Sequence, residues 1–337
     1  MLTRLPDYYD RFRCLAGACP HTCCAKWEVV VDEDSAALYQ NVPGELGEKL
    51  RRCLTEDADG DLCFPLAGER CPFLDGENLC EIHRQLGEEA TSVTCQEHPR
   101  FTEDYGAFRE VTLSASCPAA NTLLLDSEEP LTFIDRGEAE EEPDGDLAFL
   151  LESRQRILCV LGNRSLPLKE RLAAILRLGL ERQLAWEGWE AEEAAEQFPG
   201  MLPAAEVPLF PAAFDHLAEL EILEPDWPGI LQAAKTAPLP DLPEALLERT
   251  AAYFLFRYTL KAINDGDLTA WIRTALFCVA AVERLAGVLG LPEALRRFSC
   301  EIEHSDENWD TLLRADWLTE EGLADALVRY RKCCDFE

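Results

Sequence analysis

The chain has 337 residues, 47% of them apolar, enough to bury one large core or two medium ones. Its formal charge is −33, with 31 Lys and Arg against 64 Asp and Glu, which argues against nucleic acid as a partner and leaves two equal readings, steering of a basic protein or solubility alone. No apolar run approaches a membrane span and the first ten residues lack the apolar segment of a secretory signal, so a reducing cytoplasm and no membrane partner are expected.

Up to about residue 125 the pattern is one of short strands, turns and brief helices. Trp27–Val31 is a β-rich run, and Asp32 or Asp34 is placed to cap a helix continuing through Leu38 and Tyr39. Cys53 falls in a helical pattern and Cys63 in a strand-like one. Cys71–Cys80 reads as a hairpin turning at Asp75-Gly76-Glu77-Asn78, and Phe101–Ser116 as a second, turning at Asp104-Tyr105-Gly106. Gly137–Gly145 is acidic with almost no apolar residue and predicts a solvated linker. Helical periodicity follows: Phe149, Leu150, Ile157 and Leu158 mark one helix, and Leu172, Ile175, Leu176 and Leu180 the next, with Pro167 at its first position. A long helix is expected from Pro243 to Ile263, another from Leu268 to about Leu285, and no repeat of 20 to 50 residues appears. The fold class is therefore α+β, mostly α: a Cys-rich metal-binding module over residues 1–125, an acidic linker over 126–145, and an all-helical domain over 146–337 on which the module packs.

Ten of the fifteen cysteines lie within the first 117 residues, four of them in Cys14-Leu-Ala-Gly-Ala-Cys19-Pro-His-Thr-Cys23-Cys24. Thiolates are soft ligands for iron and zinc, and clustering of this kind points to a metal site. The other use of so many cysteines, a disulfide framework, belongs to short secreted chains, and an odd count leaves one thiol unpaired. Cys14, Cys19, Cys23, Cys24, Cys71, Cys80, Cys95 and Cys117 form the candidate ligand set, and four thiolates complete either a zinc site or a [4Fe-4S] cluster. In an extended segment Cys23 and Cys24 would face opposite ways, which suits two sites or one ligand and one packing residue. Cys53, Cys63, Cys159, Cys278 and Cys300 are expected to be simply buried. There is no Cys-x2-Cys pair, and Cys19-x3-Cys23 would need a third cysteine where Lys26 stands, so neither a zinc knuckle nor a radical S-adenosylmethionine loop is formed. His83 and His98, each three residues after a cysteine, offer imidazoles to a mixed zinc site, or are surface residues beside turns.

Taken in order, these motifs resemble the flagellin lysine-N-methylase family, whose Cys-rich half is shared with broader domains described as zinc- or iron-chelating. The resemblance is carried by Cys14…Cys19…Cys23-Cys24…Trp27, Cys71-Pro-Phe-Leu, Leu79-Cys80-x-Ile82, Leu86-Gly87-Glu88, Thr94-Cys95-x-x-His98-Pro99-Arg100 and Leu113-Ser114-x-Ser116-Cys117-Pro118. In the second half it is carried by Tyr253-Phe-Leu-Phe-Arg257-Tyr258, Gly266-Asp267-Leu268 and Glu301-Ile-Glu303-His304-Ser305-Asp306-Glu307-Asn308. It implies methyl transfer from S-adenosylmethionine to lysine side chains of flagellin or a similar protein, by an enzyme carrying an iron–sulphur cluster. In that family the positions of His83 and His98 often hold other residues, which argues against them as ligands. The Gly-x-Gly-x-Gly turn of Rossmann methyltransferases is absent, so no nucleotide motif locates the donor pocket.

A lysine amine must be neutral to attack a sulphonium methyl, although its ordinary pKa is about 10.4, so the site must desolvate it or offer a base. The densest polar run in the helical half is Glu301–Asn308. On one helix Glu303 and Glu307 would share a face, as would His304 and Asn308; alternatively the run is a solvated helix start capped by Ser305 or Asp306. Glu303, His304 and Tyr253 are taken as the candidate catalytic residues, and Arg257, Tyr258 and Asn308 as those that bind the cofactor, with core packing as the alternative for Tyr253, Arg257 and Tyr258. The same cysteines also suit a non-catalytic metal-binding or metal-delivery protein, or a redox iron–sulphur protein.

Overall fold

The computed structural model describes residues 1–57, 60–139, 141–189 and 209–329. In chain order these form β1 (Leu2–Pro6), β2 (Val29–Val30), α1 (Glu33–Asn41), α2 (Gly44–Cys53), β3 (Thr55–Glu56), β4 (Leu62–Phe64), α3 (Glu81–Leu86), α4 (Val93–Glu97), β5 (Arg100–Asp104), β6 (Phe108–Leu113), α5 (Pro118–Leu125) and β7 (Phe133–Arg136). After β7 the described elements are helical: α6 (Gly145–Leu161), α7 (Leu168–Trp186), α8 (Leu209–Leu217), α9 (Trp227–Ala234), α10 (Glu244–Tyr258), α11 (Leu268–Leu289), α12 (Leu291–Phe298), α13 (Asp306–Leu313) and α14 (Glu320–Arg329). The protein is thus α+β and mostly α. It divides into two compact units, one of Tyr8–Glu103 and Val111–Leu123, the other of Met1–Asp7, Asp104–Glu110 and Leu124–Glu337.

The first unit holds the small antiparallel sheet β2-β4-β3 and helices α1 and α2. Asp32 ends the β-rich run and caps α1, its Oδ1 accepting Ser35 N at 2.9 Å, while its Oδ2 accepts Val93 N at 2.9 Å at the start of α4. One carboxylate therefore satisfies the free amides of two helices. At the other end of α1, Arg51 Nη1 donates to the carbonyls of Tyr39, Gln40 and Val42 at 3.0–3.2 Å. Helix α2 can lie so close because Gly47 has no Cβ; one placed there would stand 1.8 Å from Val42 O. The core gathers Tyr39, Leu50, Phe64, Phe73 and Ile82 around Val29 and Val31. Phe64 packs on Phe73 with ring centroids 4.7 Å apart, and full burial of each ring contributes about 1.5–3 kcal/mol.

In the second unit α11 runs through the centre, with seventeen of its residues buried, including Trp271, Phe277 and Leu285. A helix apolar on every side is an interior helix. Asp267 caps it through Ala270 N at 2.8 Å, and Gly179 of α7 lets Ile272 approach to within 2.9 Å of where a Cβ would stand. Helix α10 is likewise buried from Leu247 to Tyr258. Charges inside this unit are paired: Arg154 grips Glu110 of β6 through both amino groups, and Arg171 meets Glu248 at 2.5 Å.

Several sequence expectations change. Within 126–145, expected to be linker, Phe133–Arg136 forms β7 and pairs antiparallel with β1, where Arg4 meets Asp135 in a two-pronged bond of 2.7 and 2.9 Å. The apolar pair Phe133-Ile134 was the signal for a strand. The first residues and Asp104–Glu110 join the helical unit, because β1 pairs in parallel with Phe108–Glu110. The Cys71–Cys80 hairpin reduces to a single bridge, Leu74 with Cys80, because the Asp75 carboxylate folds the turn onto the amides of Glu77 and Leu79. Pro167 stands one place earlier, as the N-cap of α7, and the Pro243 helix ends at Tyr258 before a 3-10 segment, Thr259–Asn264. Cys63, Cys278 and Cys300 are buried and Cys53 partly so, but Cys159 is exposed, on the outer side of α6.

Candidate functional site

The eight candidate thiols all lie in the first unit. Backbone pairing explains how segments far apart in sequence meet there. Cys71 N donates to Cys24 O at 2.8 Å, Ala25 bridges Arg70, and Leu74 bridges Cys80. This sets Cys24, Cys71 and Cys80 in neighbouring segments. Cys95 sits in the short α4, held there by the second oxygen of Asp32, with Ser92 Oγ donating to its sulphur at 3.4 Å. Electrostatics link the same residues, since Cys24 lies within charge–charge range of Cys71, Cys80 and Cys95. Cys117, at the start of α5, lies within range of Cys14 and Cys19, and Cys23 within range of Cys14. Cys23 also lies within range of Cys95 and is bonded to Cys24, so the eight thiols are connected throughout rather than divided into two sets.

Cys23 and Cys24 do not face opposite ways. Residues 23 and 24 form a turn rather than a strand, and the Cys23 thiol donates to the Cys24 sulphur. That bond lowers the Cys24 thiol to about 7 against the opposing effect of burial, with Thr22 and Arg70 adding to it. Burial pushes the Cys71 thiol up to about 12. The donor chemistry suits a soft metal, and the segments that carry it are held together. As the side chains stand, however, no three Cys, His, Asp or Glu groups among the described residues converge closely enough to hold an ion. His83 is exposed; His98 packs against Trp27 with ring centroids 6.2 Å apart.

In the helical unit five of the six residues singled out from the sequence come together. Tyr253, Arg257 and Tyr258 lie on the last turns of α10, where a spacing of four and five residues puts them on adjoining faces. Glu303 arrives from Ser299–Glu303, one turn of π-helix that follows α12, a rare geometry that is frequent at functional sites. Its side chain is fully buried (0% exposed) and meets Arg257 Nε at 3.5 Å. Tyr258 OH donates to Glu303 Oε1 at 2.6 Å, and Tyr253 OH stands 3.1 Å from both carboxylate oxygens. Arg257 Nη1 donates to Tyr253 OH at 3.1 Å, so the phenol relays between guanidinium and carboxylate. Burial holds the Tyr258 hydroxyl well above its ordinary range, aided by Glu303 and opposed by Arg257. It therefore stays a donor.

His304 follows Glu303 directly. Burial, with the Arg257 charge behind it, lowers its imidazole to about 4, so it is neutral at ordinary pH and a weak base. The polar run is not one continuous helix. It breaks at His304, and Ser305 Oγ caps α13 through Asn308 N at 3.2 Å. Glu307 is consequently exposed while Glu303 is buried, and the pairs expected at a spacing of four never form. Asn308 stands apart from Tyr253, Arg257 and Tyr258, and its amide is bonded to Glu221 and Glu301. Sequence reasoning missed Trp309, whose ring stacks on Tyr258 at 3.8 Å, with Trp271 6.2 Å from the same tyrosine. Trp309 adjoins the polar run, which was the available signal; Trp271 carried none.

The arrangement is a buried carboxylate held by two phenols and an arginine, with Trp309 and Trp271 beside Tyr258. The resemblance to the lysine-N-methylases holds on direct comparison. The chain is 27% identical over 143 residues to a protein named Lysine-N-methylase from Salmonella typhimurium, and 26% identical over 143 residues to one of the same name from Salmonella choleraesuis; each match covers 39% of this chain and 34% of the relative. It is 28% identical over 132 residues to the Flagellar biosynthetic protein FliU of Salmonella muenchen, covering 36% of this chain and 75% of that one. The match thus spans about a third of the length of the lysine-N-methylases. No family model matches the chain, and no solved structure matches it. No helix among the described residues is long and apolar enough to cross a membrane.

Proposed function

We propose that this protein is a protein-lysine N-methyltransferase that moves a methyl group from S-adenosylmethionine to lysine side chains of flagellin or a similar protein. The observation that carries the reading is the similarity to proteins named Lysine-N-methylase; the name FliU supports a flagellar substrate. The Glu303 site supports the chemistry. A lysine ammonium entering a desolvated pocket loses its hydration, which favours the neutral amine. Glu303 receives the proton or holds the ammonium until it leaves, Tyr253 and Tyr258 fix the carboxylate, and neutral His304 beside it offers a further acceptor. Arg257 keeps the phenols and carboxylate in register. S-adenosylmethionine supplies the sulphonium methyl, and in-line transfer then asks mainly for alignment. The charge of −33 suits a basic protein substrate and opposes nucleic acid.

Iron–sulphur or zinc ligation belongs to the same proposal. Four of Cys14, Cys19, Cys23, Cys24, Cys71, Cys80, Cys95 and Cys117 would hold a [4Fe-4S] cluster, with Cys24, which interacts with Cys71, Cys80 and Cys95, as the hub. A bound cluster would tie their segments into one unit. The gathering of these thiols also favours a second reading, a metal-binding, metal-delivery or redox protein without transferase activity. Incubation with labelled S-adenosylmethionine and a lysine-rich flagellin separates the two. Label on flagellin supports the transferase; metal-replete protein that transfers none refutes it and leaves the metal-binding reading.

A further inference from the structure

Asn308 lies five residues beyond Glu303, and its bonding tells what it does. Nδ2 donates to Glu221 O and to Glu301 O, both at 2.8 Å, and Oδ1 accepts Glu221 N at 2.9 Å. Both donors and the acceptor are committed to backbone, which leaves the amide little capacity for a ligand. Glu301, its side chain also fully buried (0% exposed), accepts Leu223 N at 2.8 Å and Glu224 N at 3.0 Å, with Arg297 Nε 3.5 Å away. Ser305 Oγ donates to Glu221 Oε2 at 2.9 Å. The π turn and the start of α13 are thereby sewn to one short stretch, residues 221–224. A π turn is a rare form of the backbone, and here it carries bonds from outside the turn.

We infer that Asn308 and Glu301 are positioning residues: together they lock the Ser299–Glu303 turn to residues 221–224 and so fix Glu303 against Tyr253 and Tyr258. Asn308 then touches neither methyl donor nor substrate. The inference rests on the transferase reading for its kinetic consequence, and on geometry alone for its structural one.

Asn308→Asp keeps the shape but loses both donors, and Glu301→Gln weakens the grip on the two amides. Each should lower kcat by about 10- to 100-fold, as for a reacting group displaced by about an ångström, with the donor KM unchanged. The double variant should be no worse than the poorer single, since the two act as a unit. A raised donor KM with kcat intact would show Asn308 to be a donor contact and overturn the proposal. A second readout needs no turnover. The chain has five histidines, so imidazole signals are resolvable by NMR and His304→Gln identifies the relevant one. In the parent that imidazole should titrate near 4; in either variant, water admitted by the loosened turn should move it toward its ordinary value of about 6.5. An unmoved midpoint in both refutes the lock. If Asn308→Asp does not fold, Ser305→Ala removes the bond to Glu221 and the cap of α13 but leaves the Asn308 amide in place, and should shift the same midpoint less. A parent that transfers no methyl sinks the transferase reading alone, because the titration still reports the lock.

Discussion

The Cys-rich unit and the helical unit solve the problem of stability differently. The first joins two- and three-residue strands and brief helices around a small aromatic core, and leans on single side chains such as Asp32 and Arg51 that each satisfy several backbone groups. The second buries two helices on nearly every side and can keep charged groups inside, because each is met by a partner. An apolar helical frame can hold a carboxylate out of water, whereas the loop-rich unit brings together thiols from segments far apart in sequence. The contrast is why the proposed proton handling is sought in the helical frame and the proposed metal ligation in the other.

The largest expected effect breaks the helical frame at its charged centre. Glu303→Ala takes the carboxylate away from buried Arg257, Tyr253 and Tyr258, which should cost about 3–5 kcal/mol, read by denaturant unfolding, and should abolish methyl transfer. Next, chelation of bound metal from the whole protein should melt the Cys-rich unit while most far-UV helical signal survives, and Cys71→Ser should do the same; loss of all helix in one step would break the comparison. Asp32→Ala removes the caps of α1 and α4, and should destabilise the Cys-rich unit by about 1 kcal/mol per helix.

The pH response sharpens the contrast. The His304 imidazole is lowered to about 4 in the folded chain by burial and by Arg257, against about 6.5 when unfolded. The unfolded chain therefore binds the extra proton between those values, and stability should rise with pH from about 4 to 6.5. His304→Gln should flatten that slope in urea titrations. The smallest effect is expected at exposed Cys159, where Ser should change stability by less than about 0.5 kcal/mol and leave bound metal untouched.

Local signals were legible and long-range ones were not. The Asp32 cap, the turn at Gly106 and the start of α11 after Asp267 are written in a few adjacent residues, and the structure has them there. Tyr253, Arg257 and Tyr258 were also readable as a group, since one helix carries all three. That Glu303 meets them depends on a π turn, which leaves no periodic trace in sequence. Asn308 shows the limit most clearly. Whether its amide faces a ligand or a loop is decided by residues 221–224, about eighty positions earlier, and only the fold reveals that the loop is the partner. Cys23 and Cys24 were misjudged for a related reason, because opposite facing presumes a strand and the chain turns there.

The central claim is that a buried carboxylate in the helical unit serves lysine methylation. It is tested most directly by intact-mass spectrometry of flagellin incubated with S-adenosylmethionine and either the parent protein or Glu303→Gln, a variant that keeps the shape of the side chain. The account predicts stepwise gain of methyl masses on lysines with the parent and none with the variant, both proteins being equally folded and equally loaded with metal. Equal methylation by both, or none by a folded, metal-loaded parent, would contradict it.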